Sequence, residues 1–200
     1  MSPSAAVDFD APSTNVLSPA KLAHVVLRTA NLERMVNFYT TFLGGIVTYG
    51  NDVISFITYD DEHHRVAIIG IPSTEPKVPT SCGLEHIAFT FNSLSDLLAS
   101  YRHRKARNID PVWCVNHGPT TSIYYKDPDG NMLETQVDNF DTIEGANSFM
   151  MSKEFAENPI GTDFDAEEMI QAIKSGEEDH VLKKRREIGP RGLSDVSSMN

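Results

Sequence analysis

Apolar and polar positions change rhythm several times along this chain. Over residues 22–28 (LAHVVLR) the apolar residues are nearly contiguous and partly β-branched, which predicts a strand. Asn31 then stands where a helix cap belongs, Leu32, Val36, Tyr39 and Leu43 recur at helical spacing, and Gly44 and Gly45 supply the stop. The runs GIVTYG, VISFITY and HRVAIIGI that follow are short and strand-like, separated by Gly, Asn and Asp turn signals. The unit is β-α-β-β-β. It then repeats: GLEHIAFTF (residues 83–91) reads as a strand, Ser93 with Asp96 forms a capping-box pattern, and Leu94, Leu97, Leu98 and Tyr101 make a helical stripe. DPVWCVN, TSIYYKD and NMLETQV complete the second unit as strands. His86 lies 62 positions after His24, and the same offset carries Leu32 onto Leu94 and Tyr39 onto Tyr101, so the repeat is structural.

The expected fold is therefore α+β. Two βαβββ modules, at residues 20–72 and 82–140, form a curved, partly closed mixed sheet within one domain over residues 20–140. Residues 1–19, rich in Ser, Ala, Pro and Asp without periodicity, read as a flexible arm. Residues 141–200 form a helical extension. In it DAEEMIQAIKSG predicts a helix capped by Asp165 and ending near Gly176, followed by a mixed-charge helix through LKKRRE. The basic run at residues 183–186 is expected to be a solvated helix face, flanked as it is by Glu177, Glu178, Asp179 and Glu187. Phe149, Met150, Met151, Phe155 and Phe164 are expected to pack on the domain or on a second subunit, a lid over a site being the sharper alternative.

Composition narrows the function. A chain of 200 residues with 40% hydrophobic content can fill one sizeable core, and a net charge of −11 argues against nucleic acid or an anionic membrane as partner. No apolar run is long enough to span a bilayer. Two cysteines, Cys82 and Cys114, are too few for a disulfide framework and fit a cytoplasmic location.

Chemistry enters with the histidines. In LEHIAFTF the bulky Ile87, Phe89 and Phe91 belong under the helix, which turns His86, Ala88 and Thr90 to the other face, a hollow. The same alternation in NMLETQV places Leu133 and Val137 under the helix and Met132, Glu134 and Gln136 on the hollow side. A lone strand histidine is more often a satisfied core residue, and a lone Glu near a DPDG turn is usually at the surface. His24, His86 and Glu134 together on the concave side of a repeated unit make a two-histidine, one-carboxylate set, which suits Fe(II) and leaves coordination positions open.

With His at the start of each module and Glu after DPDGNML, residues 21–138 resemble the vicinal oxygen chelate superfamily (glyoxalase/bleomycin resistance/dioxygenase), whose modules curl into a cup around a metal. Within it the chain most resembles the catalytic domain of type I extradiol catechol dioxygenases. EHHRVAI (residues 62–68) is similar to that family's acid/base histidine segment, SIYYKDPDGNMLE to its tyrosine and Glu-ligand segment, and VNHGPTT to the surroundings of a further active-site histidine. The resemblance implies a metal, Fe(II) or Mn(II), on His24, His86 and Glu134, and catalytic roles for His64, His117 and Tyr124. His64 is preferred to His63 because strand alternation lets only one of the two face the cup. It implies an aromatic diol and O2 as substrates, with His64 moving protons and His117 and Tyr124 donating hydrogen bonds to the substrate oxygens. His103 and His180, set among charges, are read as surface residues.

Three rivals remain within reach of the same modules. A glyoxalase-like isomerase needs a fourth protein ligand from the last strand of the first module, and RVAIIGI offers none after Arg65. A thiol transferase of the superfamily also uses His, His and Glu but gives EHHRVAI no task. A metal-free binding module would leave Glu134 and two inward histidines without partners. A homodimer is expected, since single-domain cups need a neighbour over their exposed strand edges.

Overall fold

The computed structural model describes residues 9, 10 and 16–196; most of the N-terminal arm expected over 1–19 lies outside these residues. The chain is α+β, with two mixed sheets, not closed into a barrel, and helices.

The first sheet holds β1 (Val25–Thr29), β2 (Ile46–Gly50), β3 (Ile54–Thr58) and β4 (Val66–Gly70) in the order β1-β4-β3-β2. The second holds β5 (His86–Thr90), β6 (Trp113–Asn116), β7 (Thr120–Lys126) and β8 (Met132–Asp138) in the matching order β5-β8-β7-β6, extended at its edge by β9 (Thr162–Asp163). In each sheet the first strand pairs parallel with the fourth and the remaining pairings are antiparallel.

Helix α1 (Leu32–Leu43) starts where the Asn31 side chain accepts from the Arg34 amide at 3.0 Å and ends at Gly44, whose φ of +63° suits a residue without Cβ. Helix α2 (Leu94–Lys105) starts where Ser93 Oγ accepts from the Asp96 amide at 3.0 Å. Both bury their apolar stripes in one core shared by the two sheets. Met35, Tyr39 and Phe42 of α1 and Leu94, Leu97 and Leu98 of α2 lie in it with Leu27, Ile57, Val66 and Ile68 of the first sheet and Ile123, Tyr125 and Leu133 of the second. Burying each such side chain stabilises the fold by roughly 1.5–3 kcal/mol. Phe42 joins the halves, its ring 5.2 Å from Tyr125 and its carbonyl accepting from Nε and Nη2 of Arg104 at 2.9 and 2.8 Å. The helix-covered face of each sheet is spent on this core, so the opposite face of each is left outside it.

After β8 the chain continues through α3 (Ile143–Met150), α4 (Lys153–Glu157), α5 (Ala166–Lys174) and α6 (Asp179–Leu182). Asp165 caps α5 as expected, its carboxylate accepting from the amides of Glu167 and Glu168. The expected helix through LKKRRE does not form: α6 ends at Leu182, and Arg185, far from solvated, has a side chain only 1% exposed. The cause is tertiary, because three backbone carbonyls and Glu187 occupy its guanidinium.

Candidate active site

Strand register brings the second-module residues together. Beside β5, β8 places Met132 opposite His86 and Glu134 opposite Ala88, both on the face turned from the helices. His86 Nε2 meets Glu134 Oε2 at 3.0 Å, and the Glu134 side chain is only 6% exposed. Burial pushes the Glu134 carboxyl up, but hydrogen bonds from His86 and Ser122 outweigh it and hold the group below the usual carboxylate range. Donating this hydrogen bond to the carboxylate raises His86, against its partial burial. His86 Nδ1 is buried without a hydrogen-bond partner.

On β7, Tyr124 pairs with Glu134 and on its other side with Trp113, whose ring stacks on it at 5.1 Å. Burial, then the charge of Glu134, pushes the Tyr124 phenol far up, so it stays protonated. Its hydroxyl lies 3.0 Å from His117 Nε2, and His117 Nδ1 lies 2.5 Å from the carbonyl oxygen of Ile160. A carbonyl only accepts, so Nδ1 carries a proton. Desolvation holds the His117 imidazole below its usual range although the Ile160 carbonyl works against it, and the neutral ring then offers a lone pair at Nε2. In the contact with Tyr124 the phenol is then the donor and His117 Nε2 the acceptor.

The first-module residues form a second group on the first sheet. His24 is exposed just before β1, its ring 4.4 Å from that of His64. His64 is buried, stacked on Phe56 at 4.5 Å, with Tyr49 next in line at 5.6 Å from Phe56. Loss of solvent, then the neighbouring imidazoles of His24 and His63, pulls His64 below the usual imidazole range. His63 points outward, its side chain 72% exposed. Around this row Val26, Val47 and Tyr49 are each about half exposed, an apolar face that the chain itself leaves open.

His86, Glu134, Tyr124 and His117 thus meet on one sheet, and His24 and His64 meet on the other. Among the described residues no three His, Cys, Asp or Glu side chains gather within reach of one metal ion. His86 and Glu134 nonetheless fit a divalent cation: an imidazole nitrogen and a buried carboxylate oxygen face one another, and they lack only a third donor. Sequence reading missed Ile160 and Arg185, which shape the surroundings of His117; a backbone carbonyl carries no side-chain signal, and Arg185 sat in a run of charges.

The sequence model of the Glyoxalase/Bleomycin resistance protein/Dioxygenase superfamily matches residues 21–135. The chain belongs to that superfamily. Among curated proteins it is 45% identical over 157 residues to biphenyl-2,3-diol 1,2-dioxygenase 2 of Rhodococcus globerulus, covering 78% of this chain and 83% of the relative. It is 42% identical over 167 residues to biphenyl-2,3-diol 1,2-dioxygenase 3 of the same organism, covering 82% and 88%. Its fold is similar to the crystal structure of a glyoxylase/bleomycin resistance protein/dioxygenase domain from Frankia sp. EAN1pec, with a TM-score of 0.53 at 17% identity, covering 62% of this chain and 96% of that one. Superfamily membership and the paired His86 and Glu134 both direct attention to metal chemistry in the hollows.

Proposed function

We infer that this chain is an extradiol ring-cleaving dioxygenase acting on a catechol-type diol with O2. The observation that carries the reading is the contact of His86 with Glu134, beside Tyr124 and His117 on the second sheet, in a chain 45% identical to a biphenyl-2,3-diol dioxygenase.

The metal is Fe(II), with Mn(II) as the substitute the same donors accept, and His86, Glu134 and His24 hold it. His24 comes from a second copy in a homodimer, because the first sheet of the same chain does not bring it to Glu134. Since His64 lies against His24, the copy that lends one lends both. The apolar row of Val26, Val47 and Tyr49 is the surface this contact covers. Residues 20–140 are read as the cup-building domain and residues 141–200 as its C-terminal extension. Two free cysteines fit a cytoplasmic location, and no helix of the described residues is long and apolar enough to cross a membrane.

When bound, Fe(II) supplies adjacent open positions for diol and O2 and a path for electrons between them. The chain does the rest. His64, kept neutral by its surroundings, takes a proton from one diol hydroxyl and returns it as the ring opens. Tyr124 keeps its proton, turned to His117 Nε2, and the pair accepts through the Tyr124 oxygen from the other hydroxyl. The stacked Trp113 and Tyr124 give the aromatic ring a flat apolar wall. Both atoms of O2 end in a ring-opened muconic semialdehyde-type product.

The test is anaerobic loading with Fe(II), followed by O2 uptake and the yellow ring-fission absorbance against a panel of catechols. Uptake matched to yellow product supports the reading. Isomerisation of a glutathione hemithioacetal without O2 uptake would sink it in favour of the glyoxalase-like alternative.

A further inference from the structure

His117 follows the last residue of β6, and much of what holds it in place comes from residues 149–187, after the main strands of the second sheet are complete. The Ile160 carbonyl takes its Nδ1 proton at 2.5 Å. That carbonyl is fixed from several directions. Asn158 braces the loop, its Oδ1 accepting from the Gly161 amide at 2.7 Å and its Nδ2 donating to the Gly161 carbonyl at 3.1 Å. Gly161 has a φ of +108°, and a Cβ added there would stand 2.2 Å from the Asn116 carbonyl oxygen, so the loop lies closer to the end of β6 than a side chain would allow. Arg185 donates to the carbonyls of His117, Asn158 and Glu154 at 3.1, 2.7 and 3.0 Å, joining the strand end to the loop through one buried guanidinium. Phe149 lies against Gly118, the residue after His117, with the Arg185 guanidinium 4.9 Å from its ring.

We propose that Arg185 and Asn158 are positioning residues that hold the Ile160 carbonyl against His117 and so lock its ring as the Nδ1–H tautomer, with Nε2 the acceptor of the Tyr124 hydroxyl proton at 3.0 Å. This rests on the dioxygenase reading and deepens it. With its proton turned to Nε2, the Tyr124 oxygen is left as an acceptor, which takes a hydrogen bond from a diol hydroxyl that still carries its proton and offers nothing to one that has lost it. The locked ring therefore selects, through Tyr124, which diol hydroxyl stays protonated, the one at the Tyr124 oxygen, and leaves the other to give its proton to His64. An imidazole freed from Ile160 exchanges donor and acceptor and loses this discrimination. The extension thus sets a protonation pattern at the substrate without touching it.

The test uses the full chain labelled with 15N-histidine, with His117 assigned by comparison with His117→Gln. In the unaltered protein without metal, the His117 shifts should report a protonated Nδ1 and a bare Nε2. Arg185→Lys, which keeps the charge but loses the fork, and Asn158→Ala should each populate both tautomers. Each should also lower kcat/KM for the diol by roughly ten-fold, while circular dichroism still reports a cooperative melt. In a His117→Gln background Arg185→Lys should cost nothing further, which a merely structural role would not produce. An unchanged tautomer in both variants, or the same loss in both backgrounds, overturns the proposal. If one variant fails to fold, the other decides. Absence of diol cleavage in the unaltered protein counts against the dioxygenase reading alone, since the tautomer measurement does not depend on it.

Discussion

Ala67 occupies in the first sheet the place that Glu134 occupies in the second. Val26, two residues after His24, pairs with Ala67; Ala88, two residues after His86, pairs with Glu134. Each sheet therefore carries a histidine at the same position, and one of the two carries a carboxylate beside it. If His86 and Glu134 hold a metal as proposed, the second sheet is short of a nitrogen donor that His24 on the first sheet of another copy would supply.

Mixing two inactive variants tests that pairing. His24→Ala and Glu134→Ala should each bind no metal tightly. In a mixed dimer, one hollow receives both wild-type contributions and the other receives both changes. After subunit exchange the mixture should recover about a quarter of the wild-type iron content and activity, half of the dimers being mixed with one good site each. A mixture as dead as its components would show that no hollow is shared.

Binding and turnover should separate. Glu134→Ala removes a donor and should lose the iron. His64→Phe keeps the stack on Phe56 and the His24 ring in place, so iron should stay while kcat falls by about 10²–10⁴-fold. Iron analysis beside steady-state kinetics checks both, and the opposite pattern would reverse the assigned roles.

The turn before β8 should prove tied to α1. The Tyr39 hydroxyl donates to Asp127 Oδ2 at 3.0 Å in the core, and Asp127 also accepts from the amides of Asp129 and Asn131 and from the Asn131 side chain. Tyr39→Phe removes one of four donors and should cost about 1 kcal/mol, read as a small fall in Tm. Asp127→Ala strips the turn that leads into Glu134 and should cost more, lowering metal affinity as well as Tm.

The extension should loosen in acid. Burial pushes Asp163 up, but hydrogen bonds from Arg191 and Trp113 outweigh it and hold the carboxylate below its usual range. A depressed carboxylate contributes stability above its unfolded pKa, about 4, and that contribution is lost as pH falls through the lower folded value. Trp113 is the single tryptophan and donates to Asp163 Oδ1 at 2.8 Å, so its fluorescence should change over that range below pH 4. Arg191→Ala should move the change to higher pH; an unmoved transition would show that Asp163 does not govern it.

Local order and the inventory of chemical groups are legible in the chain alone. Asn31, Ser93 and Asp165 cap helices because a side-chain oxygen next to unpaired amides acts within three residues, and alternation in LEHIAFTF and NMLETQV put His86 and Glu134 on one face because strand geometry has a period of two. The 62-residue repeat announced two like βαβββ modules, which the structure builds as two separate sheets and not as the one curved sheet expected. What only the tertiary structure decided is how distant pieces meet. Arg185 reads as one charge in a basic run, yet carbonyls from 31, 27 and 68 residues away bury it; the acceptor state of His117 depends on the Ile160 carbonyl, 43 residues on; and the shared core leaves His24 on a different sheet from Glu134. Periodicity and capping act over one or two turns of chain, whereas these contacts arise only when the whole core has packed.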